Sequence, residues 1–165
     1  MKPKIIDKEQ MVLVGMVFYG DPFKEKGGWS QENEIGKLWK RFMAKEKQVK
    51  NRIGKGAFEV HIGTEEYEKT KNYYVFVGVE VEKIDKLPPE MFAKILPPAK
   101  YAVFTLKGKE ITSDWNKTIF KDWLPKSGYK QAQPITIEYY DDRFKGTENI
   151  AESELDIYVP LKKAD

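Results

Sequence analysis

The amino-acid sequence predicts an α+β domain of duplicated β-α-β-β units with pseudo-twofold symmetry: a curved antiparallel sheet, two main helices and a central cleft. Two observations carry that expectation. The order strand, helix, strand, strand occurs twice, at a period of roughly 80 to 90 residues. A single such unit is also too small to bury its own helix, so two copies pack as a pair and leave a groove along the seam.

The first copy spans about 10–84. Met11–Tyr19 is apolar on both faces, which marks a buried strand, and Gly20-Asp21-Pro22 stops it. Ile35, Leu38, Trp39, Phe42 and Met43 then fall at helical spacing and form one stripe of an amphipathic helix. Ser30 is the expected N-cap, with Glu32 and Glu34 suited to the positive end of the helix dipole. Gly54 and Gly56 lie beyond the helix, and two strands follow, Phe58–Gly63 and Tyr73–Glu82, separated by a polar loop. A connector holding Pro88-Pro89 leads to a short segment that ends at Pro97-Pro98. The second copy, about 98–162, opens with the strand Lys100–Leu106 and a turn at Gly108. A helix entered through Thr112 or Ser113 carries Trp115, Ile119 and Trp123 on one face and stops at Pro125 and Gly128. Ile135–Tyr140 and Leu155–Leu161 complete the pattern.

Composition narrows the functions. With 165 residues, 41% hydrophobic and 33% charged, the chain suits one well-packed domain. It has no cysteine, which removes disulfides and thiolate chemistry and suits a reducing cytoplasm. The N-terminus becomes charged before any apolar run is long enough for a signal peptide, and no segment nears the roughly 20 apolar residues of a membrane span. Twenty-nine basic against 26 acidic residues is too balanced a charge to suggest nucleic acid. Neither a phosphate-binding glycine loop nor a nucleophile elbow is present, and no cofactor or metal is expected. His61 is the sole histidine, without evident carboxylate partners for a metal, and reads as a strand residue making one hydrogen bond. Lys37, Lys40, Arg41, Lys45 and Lys47 read as the solvated side of the first helix.

The aromatic content is the unusual quantity: nine tyrosines, nine phenylalanines and four tryptophans. Side chains alternate between the two faces of a strand. In the Tyr73 strand, Val75, Val77, Val79 and Val81 share one face, and Tyr74, Phe76 and Glu80 the other. In the Ile135 strand, Ile135, Ile137 and Tyr139 oppose Thr136, Glu138 and Tyr140. In the last strand, Leu155, Ile157, Val159 and Leu161 oppose Glu154, Asp156 and Tyr158. The aliphatic faces are expected to cover the helices, and the faces mixing rings with carboxylates to line the groove. Rings hold a flat or greasy cation at about 0.5 to 2 kcal/mol each. A carboxylate in an apolar cleft adds about 1.5 to 3 kcal/mol and disfavours neutral ligands, which leave its charge unpaired. Glu138, mid-strand between apolar neighbours, is the candidate. Trp39, Trp115 and Trp123 sit at core spacing and read first as packing residues.

Three segments then carry a family resemblance: Asp122-Trp123-Leu124-Pro125-Lys126-Ser127-Gly128-Tyr129, the run from Ile137-Glu138-Tyr139-Tyr140 to Phe144, and Leu155-Asp156-Ile157-Tyr158-Val159-Pro160-Leu161. Leu38-Trp39-Lys40-Arg41-Phe42, Tyr73 to Val81 and Ala99 to Phe104 match further signatures in order. Together they cover nearly the whole chain, which resembles the AraC-type effector-binding, gyrase-inhibitor-like family. The resemblance implies a central ligand groove for lipophilic, often cationic compounds. It carries the family's strand glutamate onto Glu138 and its late tyrosine onto Tyr158, with Tyr101 and Trp123 as further carry-overs. Tyr74, Phe76, Tyr140 and Trp39 complete the ligand-binding candidates. No room exists for a helix-turn-helix before Met11 or after Leu161, so direct operator binding is not expected. Three functional classes follow: a non-catalytic module that senses or sequesters lipophilic cations, a Glu138-dependent hydrolase of strained cyclopropane-containing compounds, and a module that tunes a protein partner such as a topoisomerase. Monomer and dimer both stay open.

Overall fold

A computed structural model describes residues 1–164. Nine strands form one sheet: β1 (Lys4–Lys8), β2 (Met11–Gly20), β3 (Ala57–Ile62), β4 (Tyr73–Glu80), β5 (Phe92–Leu96), β6 (Ala99–Lys107), β7 (Tyr129–Gln131), β8 (Ile135–Tyr140) and β9 (Glu154–Lys163). Their order is β1-β6-β9-β8-β3-β4-β2-β5, every pairing is antiparallel, and β7 extends the edge of β9. The order reads the same from either end. One copy contributes β2, β4 and β3, the other β6, β9 and β8, and β3 joins β8 at the centre.

The first helix, α1 (Glu34–Lys45), packs on β2 and β4. Leu38 and Phe42 are fully buried against Met16, Val75, Val77 and Val79. Burying each such side chain is worth about 1.5 to 3 kcal/mol. Its N-cap is Asn33, not Ser30: the Asn33 side chain accepts from the Gly36 N–H, while Ser30 Oγ accepts from Glu32 N–H within the preceding loop. A single turn, α2 (Tyr67–Thr70), separates β3 from β4. The second helical segment is irregular. It begins as α3 (Trp115–Lys117), capped by Asp114 and not by Thr112 or Ser113, widens into a π-helical stretch at Thr118–Trp123 and tightens at Leu124–Lys126, where Pro125 ends it. Ile119 is its fully buried anchor, on Phe104, Leu155, Ile157 and Val159.

A third cluster fills the opposite face of the sheet. Met11, Leu13 and Leu96 of β2 and β5 join Tyr101 and Val103 of β6 there, with Phe58, Val60, Phe76 and Ile137 between them. In a flat sheet β5 and β6 would stand about 29 Å apart, so their shared core requires the sheet to curl. Gly15 faces Gly78 in register at a tight point of β2 and β4, where a Cβ on either would run into the opposing backbone. Among the described residues, no helix is long and apolar enough to cross a membrane.

Candidate functional site

Both helical segments lie on one face of the sheet, but over its flanks: α1 covers β2 and β4, and the Ile119 segment covers β6 and β9. The central strands β3 and β8 are left uncovered on that face. A cleft of about 1630 Å³ opens there, between α1 and the loop after β2 on one side and Trp115, Phe120 and the Phe144–Asn149 loop on the other.

Its floor is set by strand alternation. Glu59 and His61 of β3 point up into the cleft, as do Thr136, Glu138 and Tyr140 of β8, and the β3–β8 register places Glu59 directly opposite Glu138. Both carboxylates are buried, with side chains 6% and 7% exposed. Glu59 Oε2 accepts from the Trp39 indole N–H at 2.6 Å, and its Oε1 lies 2.6 Å from His61 Nε2. Glu138 Oε2 accepts from the Tyr140 hydroxyl at 2.6 Å, and its Oε1 is 3.6 Å from His61 Nε2. Rings surround this group: Tyr73 stacks on His61 at 5.5 Å, and Tyr140 stands edge-on to both Trp39 (5.2 Å) and Phe144 (4.9 Å).

The electrostatics follow from crowding two acids in a sheltered place. Burial, reinforced by the Glu59 charge, pushes the Glu138 carboxyl up to about 7, against the smaller opposing pull of His61 and the Tyr140 hydrogen bond. Burial lowers His61, yet the Glu59 hydrogen bond and the charges of Glu59 and Glu138 outweigh it and leave His61 raised. Tyr140 is held well above its ordinary value by burial and by both carboxylates, so its phenol keeps the proton it donates. One imidazole cannot neutralise two carboxylates, and the fully ionised group carries net negative charge. The ligand atoms of Glu59, His61 and Glu138 all lie within 4.8 Å of one another, a set that could also hold a divalent metal.

Glu138, Tyr140 and Trp39 of the expected residues meet in this cleft. The other five do not. Phe76 shares a face with Val60 and Ile137 and is core, 1% exposed; Tyr74, on that same face, pairs with Tyr19 at 4.7 Å at the surface. Tyr101 and Tyr158 meet edge-on at 6.0 Å in the far-face cluster, where Tyr158 stands opposite Ile137. Trp123 packs edge-on to Phe104 beneath its helix, at 5.1 Å. Alternation separates two faces within each strand but does not say which face of one strand matches which of the next. The register settles that, and it puts the valine face of β4, not the Tyr74 face, level with Glu138. Glu59 and Tyr73 were missed for the same reason. The i, i+2 spacing of Glu59 and His61 is a signal that could have revealed the first. His61 has two carboxylate neighbours where none was evident in the sequence.

An uncovered, ring-lined cleft over a buried acidic floor, on a twofold α+β sheet, defines a small-molecule-binding domain. Residues 1–162 match the GyrI-like small molecule binding domain, and the chain belongs to that family. It is 29% identical over 163 residues to the transcriptional regulator BrlR of Pseudomonas aeruginosa; that match covers 98% of this chain and 56% of the regulator, so the chain spans little more than half of that relative. Among solved structures it is similar to SAV2435 bound to tetraphenylphosphonium (TM-score 0.71, 16% identity, 98% of this chain and 94% of that one). It is also similar to the C-terminal domain of EcmrR (TM-score 0.68, 16% identity, 99% and 98% covered).

Proposed function

We propose that the cleft binds bulky lipophilic cations without transforming them, as the effector-sensing or sequestering site of this domain, with Glu138 as the charge anchor and Trp39, Tyr73, Tyr140 and Phe144 as walls. The observation that carries this reading is the Glu59–Glu138 pair, two buried carboxylates beside a single histidine that bonds only Glu59, at the floor of an aromatic cleft. A ligand cation supplies the missing positive charge in a place water does not fully reach, and the rings supply dispersion and cation–π attraction. The volume, above the roughly 300 to 1,000 Å³ of ordinary ligand pockets, leaves room for a bulky guest. The tetraphenylphosphonium bound by SAV2435 is a compound of this class.

Thermal-shift and fluorescence titrations with a rhodamine cation and a neutral analogue test it. The cation is expected to bind and raise the melting temperature, and Glu138→Gln to weaken it by about 10- to 100-fold, or about 1.5 to 3 kcal/mol, with little change for the neutral analogue. Equal losses for the two dyes remove Glu138 as charge anchor.

One geometric feature favours a second, hydrolytic reading. Glu138, pushed up to about 7 and hydrogen-bonded to Tyr140, has the protonation behaviour of a general base at neutral pH. An activated three-membered-ring compound would then be consumed by wild type and spared by Glu138→Gln. Absence of turnover across a panel of such compounds leaves binding alone.

A further inference from the structure

The paired carboxylates are not equivalent acceptors. Each has one oxygen committed, Glu59 Oε2 to the Trp39 indole and Glu138 Oε2 to the Tyr140 hydroxyl. The two remaining oxygens both turn toward His61 Nε2. Glu59 Oε1 reaches it at 2.6 Å; Glu138 Oε1 stays at 3.6 Å, beyond hydrogen-bond range. One imidazole N–H serves one of two acceptors. Glu138 Oε1 is left without a donor among the described residues, on a side chain only 7% exposed.

An acceptor without a protein donor, open to the cleft, is served by water or by a ligand N–H, and positive charge alone does not fill it. A quaternary ammonium or a phosphonium brings positive charge but no N–H. An amidinium, a guanidinium or a protonated aminoheterocycle brings both, in a flat group. The surroundings suit flatness: Tyr73 lies stacked on His61 on one side, and Tyr140 presents its ring between Trp39 and Phe144 on the other. We propose that this cleft selects planar, N–H-bearing cations over permanently alkylated or arylated cations of similar size, because only the former satisfy the free oxygen of Glu138. The proposal rests on the reading of the cleft as a cation site and adds the chemistry of the head group. Glu59 becomes a specificity residue in it, since by holding His61 it keeps the imidazole from filling the Glu138 acceptor.

Calorimetric titration of the whole chain at pH 8 with benzamidinium, phenyltrimethylammonium and neutral benzamide tests this. Benzamidinium is expected to bind at least tenfold more tightly than phenyltrimethylammonium, and the ratio to fall below threefold in Glu138→Gln. A wild-type ratio under tenfold, with both cations still stronger than benzamide, overturns the selection and leaves cation binding intact. A ratio of threefold or more in Glu138→Gln also overturns it, since the preference then arises elsewhere. If neither cation outbinds benzamide in wild type, this proposal and the cation-site reading fall together.

Discussion

The two copies of the β-α-β-β unit present the same position to the cleft and treat it differently. In the first copy Glu59 is engaged on both oxygens, by Trp39 from the helix above and by His61 from its own strand. In the second, Glu138 holds only the Tyr140 hydroxyl from its own strand. Trp115, Asn116 and Phe120 of the second helical segment line the cleft, but among the described residues none of them makes with Glu138 the bond that Trp39 makes with Glu59. The pseudo-twofold arrangement thus brings two carboxylates to one seam, where their partners make one a held group and the other an open one. A buried charge is tolerated only as far as its partners compensate it, so the copy with fewer partners is where a ligand can contribute most.

Away from the seam the two copies should behave alike, and the largest effects test that. Phe42 and Ile119 are each wholly buried under their helices. Phe42→Ala is expected to cost about 3 to 5 kcal/mol and Ile119→Ala about 2 to 5 kcal/mol in urea denaturation, each as a single cooperative transition. A second transition in either variant would mean that the copies fold as separate units, in conflict with the far-face core they share.

At the seam the copies should part. Glu59→Gln removes charge-assisted bonds that are already made, and is expected to destabilise the protein at pH 8 by about 1.5 to 3 kcal/mol. Glu138→Gln removes a charge that is under-compensated, and is expected to leave stability unchanged or raise it. Chemical denaturation of both variants checks the contrast; losses of equal size would mean that the two acids are equivalent and that the asymmetry of their partners carries no energy.

Much of this architecture was legible beforehand. Periodicity located β2, β3, β4, β6, β8, β9 and α1, because each buries a regular face. It did not find β1 or β7, which are short and interrupted by polar residues, nor β5, largely exposed at the edge. Glu138 stood out as a glutamate flanked by apolar strand residues. Its partner Glu59 did not, because the link between them is the β3–β8 register, a contact between residues far apart in the chain that leaves no local trace. The same gap grouped Tyr74, Phe76 and Tyr158 with the glutamate, whereas Tyr101 rested on the family resemblance alone and lies in the far-face cluster.

Acidity offers a finer probe of the seam. The Glu138 carboxyl is raised in the folded protein to about 7, from an ordinary 4.5. Between those values the folded chain holds a proton that the unfolded chain has released, so the contribution of this group to stability is present below pH 4.5 and is lost as pH rises through about 7. His61, also raised, acts in the same direction. Binding of a permanently charged dye should do the reverse and strengthen across this window as Glu138 ionises. Since Glu59 is one of the groups pushing Glu138 up, Glu59→Gln should shift the midpoint of the dye-binding profile to lower pH. A midpoint left in place would separate the two acids.

The smallest effects compare the two helix starts. Asn33 is buried, 4% exposed, and makes two bonds: its Oδ1 accepts from the Gly36 N–H, and its Nδ2 donates to the Gly28 carbonyl, tying the loop at the cleft mouth to α1. Asp114 is exposed and caps α3 through a single bond from the Lys117 N–H. Asn33→Ala should therefore lie near the upper end of the usual capping cost, about 1 to 2 kcal/mol, and Asp114→Ala near the lower, about 0.5 kcal/mol. Only Asn33→Ala should also weaken dye binding, because it frees the loop that carries Trp29 toward Phe144 across the cleft. If Asp114→Ala weakened binding equally, the cleft would depend on the irregular second helix as much as on the regular first one, and the functional asymmetry would be confined to the two glutamates.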